Sequence, residues 1–449
     1  MGRKSHTRAL SLWANGLRVG TWRIPPHGPM ELQYDEDWMR SAAGRPLSLS
    51  LPFGVDNSPL KGARVRNYFD NLLPDNDNIR RRLATRFQTG STDAFDLLEA
   101  IGRDCVGAVQ LLREDEAPQN VDRIEGIPLS DADIEKLLEN TVTTTGPGTV
   151  REDEDFRISI AGAQEKTALL YHEGRWLLPH GATPTTHILK LPLGLVGNRK
   201  ADLTTSVENE WLCMQLVKAF GLPVPDCEIL TFGKQKVFVV KRFDRQLHRS
   251  GQWIMRLPQE DFCQALGVPP HLKYEAEGGP GMADIARILR QSQTPERDLE
   301  TFLAAQILFW MLAATDGHAK NFSIHMLSAG RYNLTPLYDI LSAWPIIGDG
   351  PNCISYHKAK LAMAVDGKNR HYHLKDIRRR HFNAMAHRCY AGETAEPILR
   401  DLIAQVPSVI SSVAGQLPAG FPARVSDRIF EGLQASAKRL EDMESVVVR

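Results

Sequence analysis

Two polar residues five positions apart, Asp316 and Asn321, follow a long apolar segment of the chain. This is the spacing of a kinase catalytic loop, in which the aspartate accepts the proton of the attacking hydroxyl and the asparagine amide holds a magnesium ion. An Asp-Gly turn at the end of a helix would put the same residues there without any chemistry. The segment alone leaves both interpretations open.

A second aspartate, Asp339, follows a short hydrophobic stretch further along the chain. In a kinase, an aspartate in this position binds the magnesium that bridges the phosphates. The Phe-Gly that normally follows it is replaced here by Ile340 and Leu341. A strand-end or N-cap aspartate is the simpler interpretation of Asp339 alone. The two segments in this order are much more specific than either one.

Lys190 lies among apolar residues of a predicted strand, where a cation is costly to bury without an anionic partner. Phosphate oxygens would be such a partner, as they are for the strand lysine of kinases. Glu208 and Glu210 on the following predicted helix could both pair with Lys190, and Glu210 is preferred. A lysine on a solvated strand face is the alternative.

The segment from Ser159 to Thr167 lies between two predicted strands, where a phosphate-binding loop belongs. It ends in Lys-Thr as a Walker A loop does, but Ile160 and Glu165 occupy the positions of the two required glycines. Only Gly162 fits the glycine-rich pattern of kinases. A tight hairpin explains the segment equally well.

The charged run 241–245 comes directly after another predicted strand. In a kinase-like lobe the chain crosses between the lobes at this point, and its backbone groups could hydrogen-bond adenine. An ordinary charged strand exit is the alternative.

The elements that would position these residues form a sheet-rich portion followed by a helical portion. Residues 299–315 are apolar on nearly every side, which predicts a buried helix that ends at the catalytic-loop residues. Thr205 and Glu208 have the spacing of a capping box, which predicts that a helix begins there. A deep cleft between two such portions is a common nucleotide site.

A polar stretch rich in turn formers, from 114 to 155, separates two predicted domains. We expect an N-terminal domain over 1–115, a lobe carrying the phosphate loop over 150–255 and a helical lobe over 256–449. The predicted fold is α+β with two kinase-like lobes. A sheet-rich α/β N-terminal part of two subdomains precedes an all-helical C-terminal lobe.

The charge balance argues against a protein that is held to nucleic acid by its overall charge. The 449 residues include 54 Lys and Arg against 54 Asp and Glu, so the formal net charge is zero. The basic run 375–381 could touch DNA, but such a run is more often a solvated helix face.

Cysteine usage and hydropathy limit the cellular compartments in which we expect the protein. The six cysteines are scattered singly with no CxxC pair, which argues against a zinc ribbon or a thioredoxin motif and for reduced thiols. The N-terminus lacks the apolar region of a signal peptide, and no apolar stretch is long enough to span a bilayer. We therefore expect a soluble cytoplasmic protein with no membrane partner.

Several runs of sequence resemble the HipA family of toxin kinases, and the resemblance covers nearly the whole chain. The matching runs are 45–52, 70–75, 95–98, 156–170, 184–192, 241–245, 256–261, 273–275, 278–281, 314–322 and 334–340. The region beyond 368 matches less sharply.

The resemblance implies a serine/threonine protein kinase that uses ATP and magnesium. Its typical targets are aminoacyl-tRNA synthetases, notably glutamyl-tRNA synthetase, so that its action would block translation and lead to growth arrest and persistence. A small DNA-binding antitoxin, HipB, binds such kinases, and the complex represses its own operon. The loop serine that matches Ser159 autophosphorylates. A doubly negative group beside the ATP phosphates would displace the loop and inactivate the kinase.

The resemblance also assigns roles to single residues. Asp316 matches the catalytic base, Asn321 and Asp339 match the metal ligands, and Lys190 matches the phosphate-binding lysine. Further ATP contacts are implied for Ala161, Gly162, Ala163, Gln164, Glu165, Lys166, Thr167, Arg242, Phe243, His318 and Tyr338. Lys241 departs from the pattern, which has an acidic residue there.

Two other functions fit parts of the sequence. The loop 316–321 also resembles that of aminoglycoside phosphotransferases, which would make the protein a small-molecule kinase, although the full-length resemblance favours a protein substrate. A non-catalytic repressor partner is the second alternative. The presence of Lys190, Asp316, Asn321 and Asp339 together argues against it.

Overall fold

The computed structural model describes residues 7–142, 164–196, 200–389, 391–392 and 394–444. The first part of the predicted phosphate loop lies outside these residues. The site residues Ser159, Ala161, Gly162 and Ala163 are therefore not described.

A five-stranded antiparallel sheet with the order β4-β3-β2-β1-β5 forms the N-terminal part. Its strands and the helices beside it are β1 (Arg8–Ala14), β2 (Leu17–Ile24), β3 (Glu31–Tyr34), α1 (Glu36–Arg40), β4 (Leu60–Lys61), α2 (Ala63–Asp70), α3 (Asp77–Arg86), α4 (Ala94–Ile101) and β5 (Val109–Arg113). Asn15 and Gly16 make the first hairpin turn, each with a positive φ. The core of this part includes Trp22 stacked on Phe69, with ring centroids 3.9 Å apart.

A second antiparallel sheet, of six strands, has the order β12-β13-β9-β7-β8-β6. The elements of this part are β6 (Gly126–Pro128), α5 (Asp131–Val142), β7 (Lys166–His172), β8 (Arg175–Pro179), β9 (His187–Lys190), β10 (Gly194–Val196), β11 (Ala201–Leu203), α6 (Ser206–Ala219), β12 (Cys227–Phe232) and β13 (Gln235–Lys241). Strand β9 lies between β7 and β13, so its last residue, Lys190, is held by neighbours on both sides.

Helix α6 begins where the sequence predicts, but the predicted capping box does not form. Thr205 makes no side-chain capping hydrogen bond. The Glu208 carboxylate instead accepts a hydrogen bond from Lys236 on β13, 2.7 Å away. The charged donor on the adjacent strand outcompetes the Thr205 backbone N–H, which a capping box would pair with this carboxylate.

The remaining elements form the C-terminal part, whose helix α9 (Pro295–Met311) is packed on nearly all sides as predicted. They are β14 (Arg245–Leu247), β15 (Ile254–Arg256), β16 (Gln259–Asp261), α7 (Phe262–Leu266), α8 (Met282–Leu289), α9 (Pro295–Met311), β17 (Ser323–Met326), β18 (Tyr332–Leu334), β19 (Lys360–Asp366), β20 (Arg370–His373), α10 (Arg379–Arg388), α11 (Glu396–Ala414) and α12 (Ala423–Glu441).

The mixed α+β fold class is confirmed, with one correction. The C-terminal lobe is not all helical, because β16, β17 and β18 form a three-stranded sheet and β19 pairs with β20. Strands of three or four residues carry too little alternation to be seen in a sequence, and β19 is buried along almost its whole length. The domain boundaries at 115, 150 and 255 stay predictions.

None of the helices in the described ranges is both long and apolar enough to cross a membrane.

Candidate active site

Lys190 lies at the centre of an ion-pair cluster that joins three separate parts of the chain. Its Nζ donates to Glu210 Oε1 on α6 at 2.6 Å and to Asp339 Oδ1 after β18 at 2.8 Å. The lysine side chain is only 7% exposed. Of the two glutamates that the sequence offers as partners, Glu210 is the one beside Lys190. The burial cost of the cation is therefore offset by two carboxylates.

The two carboxylates of this cluster have different proton affinities. Burial alone would raise the pKa of Asp339, but the charges of Lys190 and Lys166 hold it well below its usual value. Burial raises the pKa of Glu210 to about 7, although Lys190 opposes the shift. Asp339 is thus ionised at neutral pH, and its side chain is 33% exposed.

Asp339 has a left-handed backbone, with φ at +61°. Few non-glycine residues adopt this left-handed conformation, and aspartate is among those that do so at low cost. The preceding Tyr338 fixes the segment, because its hydroxyl donates to the Lys320 carbonyl at 2.9 Å and lies 2.5 Å from Ser323 Oγ. The metal-ligand candidate is therefore tied to the catalytic loop by its neighbour.

The loop from Asp316 to Asn321 folds back on itself. The Asn321 amide and the His318 backbone N–H both donate to the Asp316 carbonyl at 2.8 Å. The Asp316 side chain is 61% exposed, and its carboxylate accepts a 2.5 Å hydrogen bond from the Tyr274 hydroxyl. Gly317 is needed here, since an added Cβ would lie 2.5 Å from the Phe309 ring. The loop thus presents an open, oriented carboxylate, as a general base requires.

The donor atoms of Asn321 and Asp339 fit a magnesium ion. The Asn321 NH2 group is occupied by the Asp316 carbonyl, which leaves the amide oxygen for a cation. Magnesium prefers oxygen ligands and typically takes one or two carboxylates together with waters and substrate phosphates. No group of three or more His, Cys, Asp or Glu in the described part of the chain could hold a metal by itself. Phosphate or water oxygens would therefore have to complete the coordination.

These residues line one open cleft. Its lining includes the apolar residues Ile188, Met214, Pro225, Val240 and Leu341 as well as the charged groups. A planar base on the apolar residues and phosphates on the charged groups would match this composition.

The described end of the predicted phosphate loop contributes Gln164 and Lys166 to the lining of the cleft. Lys166 on β7 pairs in register with Lys190 on β9, and burial together with Lys190 lowers the pKa of Lys166 to about 8. Gln164 donates to the Leu191 carbonyl at 2.5 Å. The Glu165 carboxylate forms an ion pair with Arg82 on α3. This segment is therefore anchored both to the sheet and to the N-terminal part.

The structure brings most of the predicted site residues to this cleft. Those that line it are Gln164, Lys166, Lys190, Arg242, Phe243, Asp316, His318, Asn321, Tyr338 and Asp339. Thr167 continues β7 and Glu165 pairs with Arg82, and neither is among the lining residues.

Two of the predicted ATP-contacting residues, Arg242 and His318, differ in whether their side chains are available to a nucleotide. The Arg242 guanidinium is buried and bonded to Asp244, Thr185 and the Cys105 carbonyl, so only the backbone of this residue is left to face a nucleotide. Burial lowers the pKa of His318, and its Nδ1 atom has no hydrogen-bond partner among the described residues. A neutral ring with an unpaired nitrogen is suited to contact a ligand.

Sequence reasoning gave no role to Tyr274, which bonds Asp316, or to five residues that line the cleft: Asn71, Asp75, Asp261, Lys273 and Lys320. All six belong to runs that resemble the HipA family, but no spacing rule connects them. Lys320 carried a usable signal, because it is a lysine between two predicted site residues in a segment that follows a buried helix.

Comparisons with known proteins show which proteins this chain is similar to. A family model described as HipA N-terminal domain matches residues 10–112, and one described as HipA-like C-terminal domain matches residues 158–410. A putative kinase of Sinorhizobium fredii, Y4mE, is 37% identical over 341 residues, which is 75% of this chain and 77% of that protein. The serine/threonine-protein kinase toxin HipA of Shewanella oneidensis is 27% identical over 350 residues, 75% of this chain and 73% of that protein.

A solved structure has the same fold over almost the full length. It is the Shewanella oneidensis complex of HipA, HipB and operator DNA. The matched chain has a TM-score of 0.78 at 23% identity and covers 97% of this chain and 98% of its own length.

Proposed function

Because the chain belongs to the HipA family of toxin kinases, we propose that it transfers the γ-phosphoryl group of ATP to a serine or threonine of a protein substrate. The observation that carries the proposal is the meeting of Lys190, Asp339, Asp316 and Asn321 around one cleft. They supply a phosphate-binding cation, two metal-ligand candidates and a base, which are the parts that phosphoryl transfer requires.

In this mechanism Asp316 orients the substrate hydroxyl and accepts its proton. The carboxylate is exposed to the cleft and fixed by Tyr274, so its oxygen meets an incoming hydroxyl without a rearrangement of the loop. Positioning of this kind accounts for much of the catalysis in phosphoryl transfer.

Lys190 and Lys166 hold the nucleotide phosphates in the proposed complex. Their side chains come from adjacent strands in register, so both cations face the same group of oxygens. Bound between Asn321 and Asp339, a magnesium ion would neutralise charge on the phosphates. We also assign nucleotide contacts to the 161–167 loop, the backbone at 242–243, His318 and Tyr338.

We propose partners from the named relatives and from the resemblance. The Shewanella oneidensis HipA was solved with HipB and operator DNA, which supports a HipB-type antitoxin and operator DNA as partners here. An aminoacyl-tRNA synthetase, glutamyl-tRNA synthetase first, is the proposed substrate, and growth arrest with persistence is the proposed outcome. These partners assign the reaction to the cytoplasm. Ser159 is the proposed site of inactivating autophosphorylation.

Autophosphorylation tests the proposal directly. The purified protein is incubated with ATP and magnesium, and its intact mass is followed by peptide mapping. We expect one phosphate on Ser159 in the wild type and in the control Asp349→Asn, whose carboxylate is exposed and outside the cleft. Asp316→Asn should carry none while it still binds ATP.

Transfer to a foreign substrate completes the test. Labelled phosphate on glutamyl-tRNA synthetase would support the proposed target, whereas transfer only to small molecules would favour a small-molecule kinase. An Asp316→Asn variant that transfers phosphate at the wild-type rate contradicts the assigned base. A wild type that binds ATP and transfers phosphate to nothing is the non-catalytic alternative.

A further inference from the structure

The N-terminal part of the chain reaches into the catalytic loop. Lys320, which lies between the proposed base and the proposed metal ligand Asn321, donates to Asn71 Oδ1 at 2.8 Å and to the Asn71 carbonyl at 3.1 Å. It also donates to Asp261 Oδ2 at 3.1 Å. Asn71 follows directly after α2 of the N-terminal domain, so that domain supplies two of the acceptors of a catalytic-loop lysine.

A second contact from the same segment acts beside the base. Asp75 Oδ2 accepts from Lys273 at 2.9 Å. Lys273 is the neighbour of Tyr274, whose hydroxyl is hydrogen-bonded to Asp316. The Lys273 carbonyl also accepts from the Ala319 N–H at 3.4 Å. Asp75 is thus linked to the base Asp316 through Lys273 and its neighbour Tyr274.

These contacts are buried, which makes them energetically significant. The side chains of Lys320, Asp75 and Asp261 are 3%, 10% and 10% exposed. A buried cation needs carboxylates and hydrogen-bond acceptors around it, and removal of one partner leaves charge uncompensated. Asp75 Oδ1 also lies 3.7 Å from Lys320 Nζ, so Asp75 stands between both lysines that hold the loop.

We propose that Asn71 and Asp75 are positioning residues of the kinase, through which the N-terminal domain holds the catalytic loop in its active geometry. Neither acts on the substrate. Asn71 and Asp261 fix Lys320, and Asp75 fixes Lys273 and with it the Tyr274 hydroxyl that orients Asp316. The inference rests on the proposed function, since it assigns a role in the same transfer reaction.

The chain contains a matched control in the same segment. Asp70 ends α2 and pairs with Arg80 of α3 at 2.6 Å, and it does not line the cleft. We expect Asp75→Asn to lower kcat by about 10- to 100-fold, because small misplacements of a base have effects of this size. KM for ATP should stay near the wild-type value, whereas the melting temperature should fall, because Lys273 and Lys320 lose a buried carboxylate. Asp70→Asn should retain the wild-type kcat.

A double variant separates positioning from general loosening. If Asp75 acts through Lys273, the variant that combines Asp75→Asn with Lys273→Met should lose no more activity than the less active of the two single variants. Losses that multiply would overturn the proposed route. So would an Asp75→Asn enzyme with a kcat within twofold of the wild type.

Amide hydrogen exchange tests the positioning role without requiring phosphoryl transfer. Amide hydrogen exchange of residues 316–321 is compared in the full-length wild type, Asp75→Asn and Asp70→Asn. We expect faster exchange only in Asp75→Asn. Equal exchange in all three proteins overturns the positioning role. A wild type without phosphoryl transfer contradicts the proposed function alone, and the exchange result then decides the positioning role.

Discussion

Lys190 and Asp339 are 149 positions apart in the chain and form a 2.8 Å ion pair in the cleft. The pair joins the central strand of the six-stranded sheet to the segment after β18, and Glu210 adds a third side chain from α6. Three elements that are distant in the chain therefore meet at a single ammonium group. The cluster couples the phosphate-binding lysine to the metal-ligand candidate.

Neutralising Glu210 should weaken ATP use selectively. Glu210→Gln removes one of the two carboxylates that hold Lys190, and we expect kcat/KM for ATP to fall about 10-fold. Glu208→Gln is the matched control on the same helix, because its partner Lys236 is half exposed and outside the cleft. Steady-state kinetics of both variants check the expectation. Equal losses in the two would show that the helix, not the ion pair, is responsible.

The Asp339→Asn variant removes the charge of this residue but is compatible with its left-handed backbone. Asparagine also adopts a positive φ readily, so the segment should keep its shape while the carboxylate is lost. We expect phosphoryl transfer to fall by about 100-fold or more and the melting temperature to change little. Asp349→Asn, at an exposed position, is the control. An Asp339→Asn enzyme with normal magnesium dependence would contradict the metal-ligand role.

Glu260 should make stability depend on pH. This residue is fully buried on β16, accepts from the Leu49 N–H at 2.9 Å, and has one carboxyl oxygen without a hydrogen-bond partner among the described residues. Burial raises its pKa from 4.5 to about 8. The folded protein therefore holds this proton more tightly than the unfolded chain. The stabilisation is complete below pH 4.5 and is lost as the pH rises towards 8.

Urea unfolding at several pH values checks the Glu260 expectation. The free energy of unfolding should fall by at most about 1.4 kcal/mol per pH unit between pH 5 and 8. Glu260→Gln should flatten this slope, whereas Glu228→Gln, exposed on β12, should keep it. An unchanged slope in Glu260→Gln would assign the pH dependence to other groups.

Asp104 should be the most sensitive carboxylate for stability. It contacts the guanidinium groups of Arg242, Arg245 and Arg256 at 2.9 to 3.3 Å in a fully buried network. Although burial opposes it, the three arginines lower the pKa of Asp104 well below its usual range. We expect Asp104→Ala to lower the free energy of unfolding by about 3–5 kcal/mol, because three buried cations then share only the Asp244 carboxylate, which contacts Arg242 and Arg245.

The control for Asp104 is an exposed ion pair. Asp226 pairs with Lys218, and both side chains are more than half exposed. Asp226→Ala should change the free energy of unfolding by less than about 1 kcal/mol. Chemical denaturation of both variants at neutral pH measures the difference. Similar losses in the two would mean that the arginine network adds no more stability than a surface pair.

The sequence predicts those parts of the site that depend on local spacing. The five-residue step from Asp316 to Asn321 after a buried helix marks the catalytic loop, and the apolar surroundings of Lys190 mark a buried cation that needs anions. Glu210 could be named as its partner because it lies on the next helix. Each of these inferences uses residues within one element or between successive elements.

The rest depends on contacts that leave no local pattern. Lys320 and Asn71 are 249 positions apart, and nothing in the spacing around either residue points to the other. The capping box at Thr205 failed because Glu208 found a charged partner on another strand. The short strands β16 to β18 were missed because three or four residues show no period. Long-range pairing decides each of these cases.

The left-handed backbone at Asp339 limits how this position can change over generations. Glycine, asparagine and aspartate adopt such a conformation at low cost, and only aspartate among them carries a carboxylate. Any single replacement gives up either the favourable backbone or the charge that binds Lys190. No replacement of Asp339 is therefore expected to be neutral. A descendant protein with another residue at this position is expected to lack phosphoryl transfer even where the rest of the chain is preserved.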